Sequence, residues 1–253
     1  SLGQPLAVGD RVVYCYFTPC GHCYVCLRGN LAACRNKFGP KFALASEPPY
    51  FNGAYAEYYY VKPGQYVFKV PDGIPDEVAA PVNCALSQVT YGLEQVGIRF
   101  GDSVVVQGAG GLGINTIAVA RDMGASNIIV IDGIEERLKL ARDFGADYTI
   151  DLREYTTPKE RIARVRALTG GQGADIVCEL VGAPQVVPEG IEMLSAGGGY
   201  LWVGNINRGR TVEIDPSSVL VNSRRIVGII TYHPGVIPRA LQFLKRNLKK
   251  YPF

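Results

Sequence analysis

The sequence predicts an α/β fold, a doubly wound parallel sheet preceded by a β-rich lobe, on three observations. A β-branched run at residues 103–107 is followed by Gly108, Gly110 and Gly113 in G-x-G-x-x-G spacing. Beyond it, short apolar runs alternate with helix-period segments, the order of a parallel sheet wrapped by helices. Ahead of it, Cys20, Cys23, Cys26 and Cys34 lie in C-x2-C-x2-C-x7-C spacing.

Bulk properties narrow the class. A chain of 253 residues with 47% hydrophobic content can bury one large core or two smaller ones. The formal charge of +3 is small. The basic group Lys245, Arg246, Lys249 and Lys250 reads as the solvated end of a helix, so no nucleic-acid partner is expected. No apolar run reaches bilayer length and no charged leader precedes a short apolar core, so no membrane partner and a cytoplasmic location are expected.

In chain order, residues 11–17 predict a strand that leads into the cysteines. Four thiolates this close suit one tetrahedral Zn²⁺, with Gly21 and Gly29 letting the backbone wrap it. Two disulfides or an iron–sulfur cluster are the alternatives; a reducing compartment disfavours the first, and Arg35 rather than Pro after Cys34 disfavours the second. Four sulfurs fill the coordination sphere, which makes such a metal structural. His22 lies inside the loop and is not expected to ligate. Residues 36–71 alternate aromatic and small side chains, notably at 53–61, and predict β-rich, half-exposed structure. Residues 71–96 then predict a turn followed by helical segments.

The run Ser103–Gln107 predicts a strand buried on both faces. After it, Gly108 permits a tight bend, Gly110 a close approach of backbone N–H groups to a diphosphate, and Gly113 close packing of helix on sheet. The new helix N-terminus adds partial positive charge. A second strand ends in Asp132, placed to accept hydrogen bonds from an adenosine ribose and to repel a 2′-phosphate; a helix N-cap is its alternative reading. Helices are predicted near 134–144, 158–168, 184–194 and 236–250, and strands near 147–150, 175–179, 200–203 and 225–231. Glycines at 170–173 and 197–199 read as turns.

The cysteine lobe, the segment VNCALSQVTYG at residues 82–92, the GAGGLG turn and Asp132, in that order, resemble the medium-chain dehydrogenase/reductase family, zinc-dependent alcohol dehydrogenase type. The resemblance covers essentially the whole chain. It implies a Rossmann domain preceded by part of a GroES-like catalytic domain, and hydride transfer between an alcohol or polyol and NAD. It divides the chain into residues 1–85 (partial GroES-like domain with the cysteine lobe), 86–234 (Rossmann domain) and 235–253 (start of a return to the catalytic domain). It implies that Cys84 ligates a catalytic zinc; without it, Cys84 reads as a small apolar residue. It places Gly108, Gly110, Gly111, Leu112 and Gly113 at the pyrophosphate, and Val181, Val203 and Gly204 at the nicotinamide ribose. Arg137 matches a basic residue that reaches the ribose or phosphate, its alternative being a solvated helix position.

The remaining zinc ligands of the family pattern fall ahead of residue 1, and neither His22 nor His233 fits a ligand motif. These residues are therefore expected to be a portion of a longer enzyme, inactive alone, with zinc and NAD as cofactors and a homodimer or homotetramer as the assembly. Gln88 departs from the small hydroxyl residue many members carry there. Phe51 and Trp202 are candidate pocket walls. A zinc-free quinone or enoyl reductase and a non-catalytic NAD-binding module are the competing readings; the first generally lacks the four cysteines.

Overall fold

The structure, a computed structural model, describes residues 5–39, 44, 46–48, 50 and 53–253. Phe51 lies outside them. The order of elements is β1 (Val12–Tyr14), α1 (Tyr24–Leu27), β2 (Val67–Lys69), α2 (Asp76–Ala79), α3 (Ala85–Val96), β3 (Ser103–Gln107), α4 (Gly111–Asp122), β4 (Asn127–Asp132), α5 (Glu135–Asp143), β5 (Tyr148–Asp151), α6 (Pro158–Leu168), β6 (Ala174–Glu179), α7 (Val186–Met193), β7 (Leu194–Trp202), α8 (Pro216–Leu220), β8 (Arg225–Gly228) and α9 (Val236–Asn247). Short 3₁₀ turns occupy Leu31–Ala33 and Ala80–Asn83.

Strands β3 to β8 form one parallel sheet in the order β5-β4-β3-β6-β7-β8. The chain winds outward from β3 to one edge, returns to the centre, and winds outward from β6 to the other. The strand order therefore reverses between β3 and β6, where open α/β sheets form a crevice at their C-terminal edge. Both faces of the central strands β3, β4 and β6 are covered, which explains their apolar runs. Along β3, Val104 and Val106 face a cluster with α3, α4 and α9, while Val105 faces a second cluster with α6 and α7, as a two-residue repeat requires.

Helix α6 begins where its sequence says it should. Thr157 accepts from the Glu160 N–H, Glu160 answers to the Thr157 N–H at 2.9 Å, and Pro158 fills the first turn, where its missing N–H costs nothing. Helix α3 ends at Gly97 in the left-handed region, φ 80°.

Two expectations differ from the structure. Among the described residues 36–71 form one strand, β2, paired antiparallel with β1, and residues 53–61 form none. Alternation gives a segment strand potential, but a strand exists only with a ladder partner; here Tyr59 instead stacks on Tyr14, ring centroids 4.3 Å apart. Second, the glycine run at 197–199 lies inside β7, which starts at Leu194 with a register shift against β6. A Cβ on Gly199 would sit 2.5 Å from Val96 Cγ2 and one on Gly198 3.1 Å from the Ala174 carbonyl, so these two admit close neighbours, whereas Gly197, at φ 75° with open space around it, keeps the expected turn conformation.

Candidate functional site

The four cysteines come together. Their sulfurs all lie within 4.8 Å of one another. Cys23 to Cys26 is 3.5 Å, Cys20 to Cys34 3.7 Å and Cys23 to Cys34 3.9 Å. A tetrahedron with Zn–S bonds of 2.3 Å has edges of about 3.8 Å. The separations fit that figure, and all four thiols are free in this structure. A four-iron cluster gives each thiolate its own iron and spreads the sulfurs further. Gly21 and Gly29 adopt φ of 77° and 81°, the left-handed turns that the wrap requires. The Cys20 N–H donates to Cys34 Sγ at 3.4 Å, and Asn36 Nδ2 lies 3.6 Å from Cys20 Sγ. Hydrogen bonding from the His22 backbone, with help from Asn36, brings the Cys20 thiol down to about 6, while burial pushes Cys26 up to about 12. Zinc bound there would cross-link a segment whose only helix, α1, is four residues long.

Cys84 is exposed, at the N-terminal boundary of α3. The neighbouring Asn83 carbonyl accepts from the Tyr232 hydroxyl. Among the described residues no group of three or more metal-ligating side chains includes Cys84. The residues present thus do not make a catalytic zinc site. Gln88, one helical turn on, donates to the Ile230 carbonyl at 3.1 Å, which ties α3 to the segment after β8.

At the C-terminal edge of the sheet the glycine turn follows β3. Gly108 has φ 94°, and the Gly108 N–H bonds the Ile131 carbonyl at 2.8 Å. A Cβ on Gly113 would collide with the Gly108 carbonyl, so α4 can lie on the turn only with glycine there. Around Gly110 and Gly111 a Cβ would meet nothing within 4 Å. That open space faces the first turn of α4, whose N–H groups at Gly111, Leu112 and Gly113 have no intrahelical acceptor. A cavity of about 430 Å³ opens beside it, bordered by Gly110, Gly111, Asn115 and Arg137.

Asp132 is 7% exposed. Its Oδ2 accepts from the Ala109 N–H at 2.8 Å and its Oδ1 from the Ile134 N–H at 2.9 Å, so it joins the glycine turn to the loop after β4. The bond to Ile134 is a local turn, and α5 has no side-chain cap, so Asp132 does not act as a helix N-cap. Each oxygen keeps a second lone pair for a further donor. Arg137 Nη1 lies 3.7 Å from Asp132 Oδ2 with half its side chain exposed, bridging cavity and carboxylate. Val181, Val203 and Gly204 do not line the cavity. Val181 reaches the turn from the end of β6: its Cγ2 is 3.1 Å from where a Cβ on Gly108 would be. Trp202 ends β7 beside them.

Sequence reasoning gave Glu179 no role. It is fully buried at the end of β6, and four N–H donors converge on its side chain. The available signal was an acid directly after the apolar run Ile176–Cys178, at the edge where ligands bind.

Comparison with known proteins bears directly on this arrangement. Residues 2–72 match the alcohol dehydrogenase GroES-like domain and residues 111–246 the zinc-binding dehydrogenase domain. The chain belongs to the medium-chain dehydrogenase/reductase family, zinc-dependent alcohol dehydrogenase type. It is 33% identical to a 5-exo-hydroxycamphor dehydrogenase of Pseudomonas putida over 99% of this chain and 68% of that one. It is 35% identical to an erythritol/L-threitol dehydrogenase of Mycolicibacterium smegmatis, over 82% of this chain and 55% of that one. An alcohol dehydrogenase from Thermotoga maritima superposes with a TM-score of 0.91 at 30% identity, covering 98% of this chain and 69% of the other. The chain thus spans 55% to 69% of the length of these relatives.

Proposed function

We propose that the chain is the nucleotide-binding and zinc-lobe portion of an oxidoreductase that transfers a hydride between an alcohol or polyol and NAD. The observation that carries this reading is the coupling of Asp132 to the glycine turn: one carboxylate holds the Ala109 N–H of the turn and still offers a lone pair on each oxygen. A ribose diol can donate to those lone pairs, whereas a 2′-phosphate would meet like charge. Gly108, Gly110, Gly111, Leu112 and Gly113 take the diphosphate, with Arg137 at its rim, and Val181, Val203 and Gly204 take the nicotinamide ribose. Cys20, Cys23, Cys26 and Cys34 hold a structural zinc. Cys84 is assigned to a catalytic zinc only in a longer protein that supplies the other ligands, and no chemical step is derived through it.

The division into residues 1–85, 86–234 and 235–253 is part of the proposal, as is assembly into a dimer or tetramer. No helix among the described residues is long and apolar enough to cross a membrane. A cytoplasmic location is part of the same proposal. For these residues by themselves a second reading, NAD binding without turnover, is favoured by the isolation of Cys84.

Titration with NADH and NADPH, followed by nicotinamide fluorescence, tests the cofactor choice. NADH is expected to bind at least about ten-fold more tightly than NADPH, and Asp132→Ser to narrow that ratio, since a like-charge contact is removed. Equal affinities in the unmodified chain would remove NAD specificity and the role given to Asp132.

A further inference from the structure

Glu179 is a carboxylate with no exposure to solvent, and no Arg, Lys or His pairs with it among the described residues. Burial of such a group without a cation is costly unless donors replace the water it loses. Four do. Oε1 accepts from the N–H groups of Val181 at 2.8 Å and Gly182 at 2.7 Å; Oε2 accepts from the Gly204 N–H at 3.1 Å and Asn205 Nδ2 at 2.8 Å. Two donors come from the loop after β6 and two from the loop after β7.

The surroundings are shaped to this carboxylate. A Cβ on Gly204 would lie 2.5 Å from the Gly182 N and 2.7 Å from Glu179 Oε1, and one on Gly182 2.8 Å from the Gly204 carbonyl oxygen. The two backbones therefore touch, with the carboxylate as the common acceptor between them. Val181 stands on this cradle, half exposed, with its side chain against the Gly108 turn across the β3/β6 reversal. For stability alone, a well-packed apolar side chain generally serves as well as a buried charge. What a carboxylate adds is a fixed spacing of two loops set by four hydrogen bonds.

We infer that Glu179 is a positioning residue for the nicotinamide half of the bound dinucleotide, holding Val181 and Gly204 at a fixed separation beside the glycine turn. The inference rests on the reading that the chain binds NAD. Glu179 touches no cofactor atom; it acts through the two loops. Glu179→Gln keeps the shape but sets an NH₂ group against N–H donors, so at least one oxygen's worth of bonds is lost and the loops part.

The test compares NADH with ADP-ribose, which carries the adenosine and both phosphates but no nicotinamide. In Glu179→Gln, NADH affinity is expected to fall roughly ten-fold, the loss of about one charge-assisted hydrogen bond, while ADP-ribose affinity stays within about two-fold. The single tryptophan, Trp202, whose strand pairs with β6 opposite Glu179, gives a second readout: energy transfer to bound NADH should weaken. Asn205→Ala removes one donor and leaves the carboxylate. It should shift the same ratio by roughly three-fold, and it carries the test if Glu179→Gln does not fold. A parallel loss of NADH and ADP-ribose, or no change in their ratio in either variant, overturns the role of Glu179. Failure of the unmodified chain to bind NADH overturns the NAD reading, and this inference with it.

Discussion

Cys20 and Cys26 belong to the same cluster of four sulfurs, yet their thiols are driven in opposite directions, Cys20 down to about 6 and Cys26 up to about 12. In the metal-stripped chain Cys20 thus gives up its proton more readily than Cys26. Iodoacetamide followed by peptide mapping should modify Cys20 first, and the preference should fade as the pH falls below about 6 and Cys20 gains its proton. Equal rates at pH 7 would contradict this, and added zinc should protect both. The spacing of the four cysteines made the cluster legible in the sequence; the titration was not, because it depends on a backbone bond at His22 and on Asn36, which no spacing encodes. Glu179 marks the same boundary. Its place at the end of a strand was readable, but two of its four donors lie 25 and 26 positions further on.

At the scale of elements, the span of α6 was legible near 158–168, and the structure supplies the reason for its start in Thr157, Pro158 and Glu160. The strand β7 was not, because glycine signals both a turn and a close approach, and only the positions of Val96 and Ala174 decide between them. What binds α6 to α7 was equally hidden. Arg161 Nε and Nη2 reach the Glu189 oxygens at 2.7 and 2.5 Å, with side chains only 11% and 5% exposed. Removing one partner strands a buried charge. Glu189→Ala should lower unfolding free energy by roughly 3–5 kcal/mol in urea titrations. The double replacement Arg161→Met with Glu189→Leu should recover most of that loss, since an apolar pair of similar volume avoids the desolvation penalty. A double variant as weak as the single one would show that the pair itself, and not the orphaned charge, carries the stability.

For the whole molecule, one apolar cluster runs from Val13, Cys15 and Phe17 through Val82 and Leu86 to α9 and Tyr251, so the β-rich lobe and the nucleotide sheet share a core. The Ala32 carbonyl of the cysteine lobe accepts from Lys37 Nζ at 2.5 Å and from Thr231 Oγ1 at 2.7 Å, which fastens the lobe to the segment after β8. Zinc removal by a chelator should lower the urea midpoint while leaving a single transition, seen alike by Trp202 fluorescence and by circular dichroism. Two separated transitions would show that the lobe and the sheet unfold independently. The parallel sheet was legible from the alternation of periods, whereas the shared core was not, because side chains at 13–17 and 82–86 meet only once the chain has folded back. The reversal between β3 and β6 has a temporal side as well. As the polypeptide is made, β3, β4 and β5 can pair in the order they appear, but the inner edge of β3 finds its neighbour only when residues 174–179 emerge. Until then the future centre of the sheet is an open, apolar edge, and the window in which this protein is most exposed to wrong pairing is set by the same crossing that gives it a crevice.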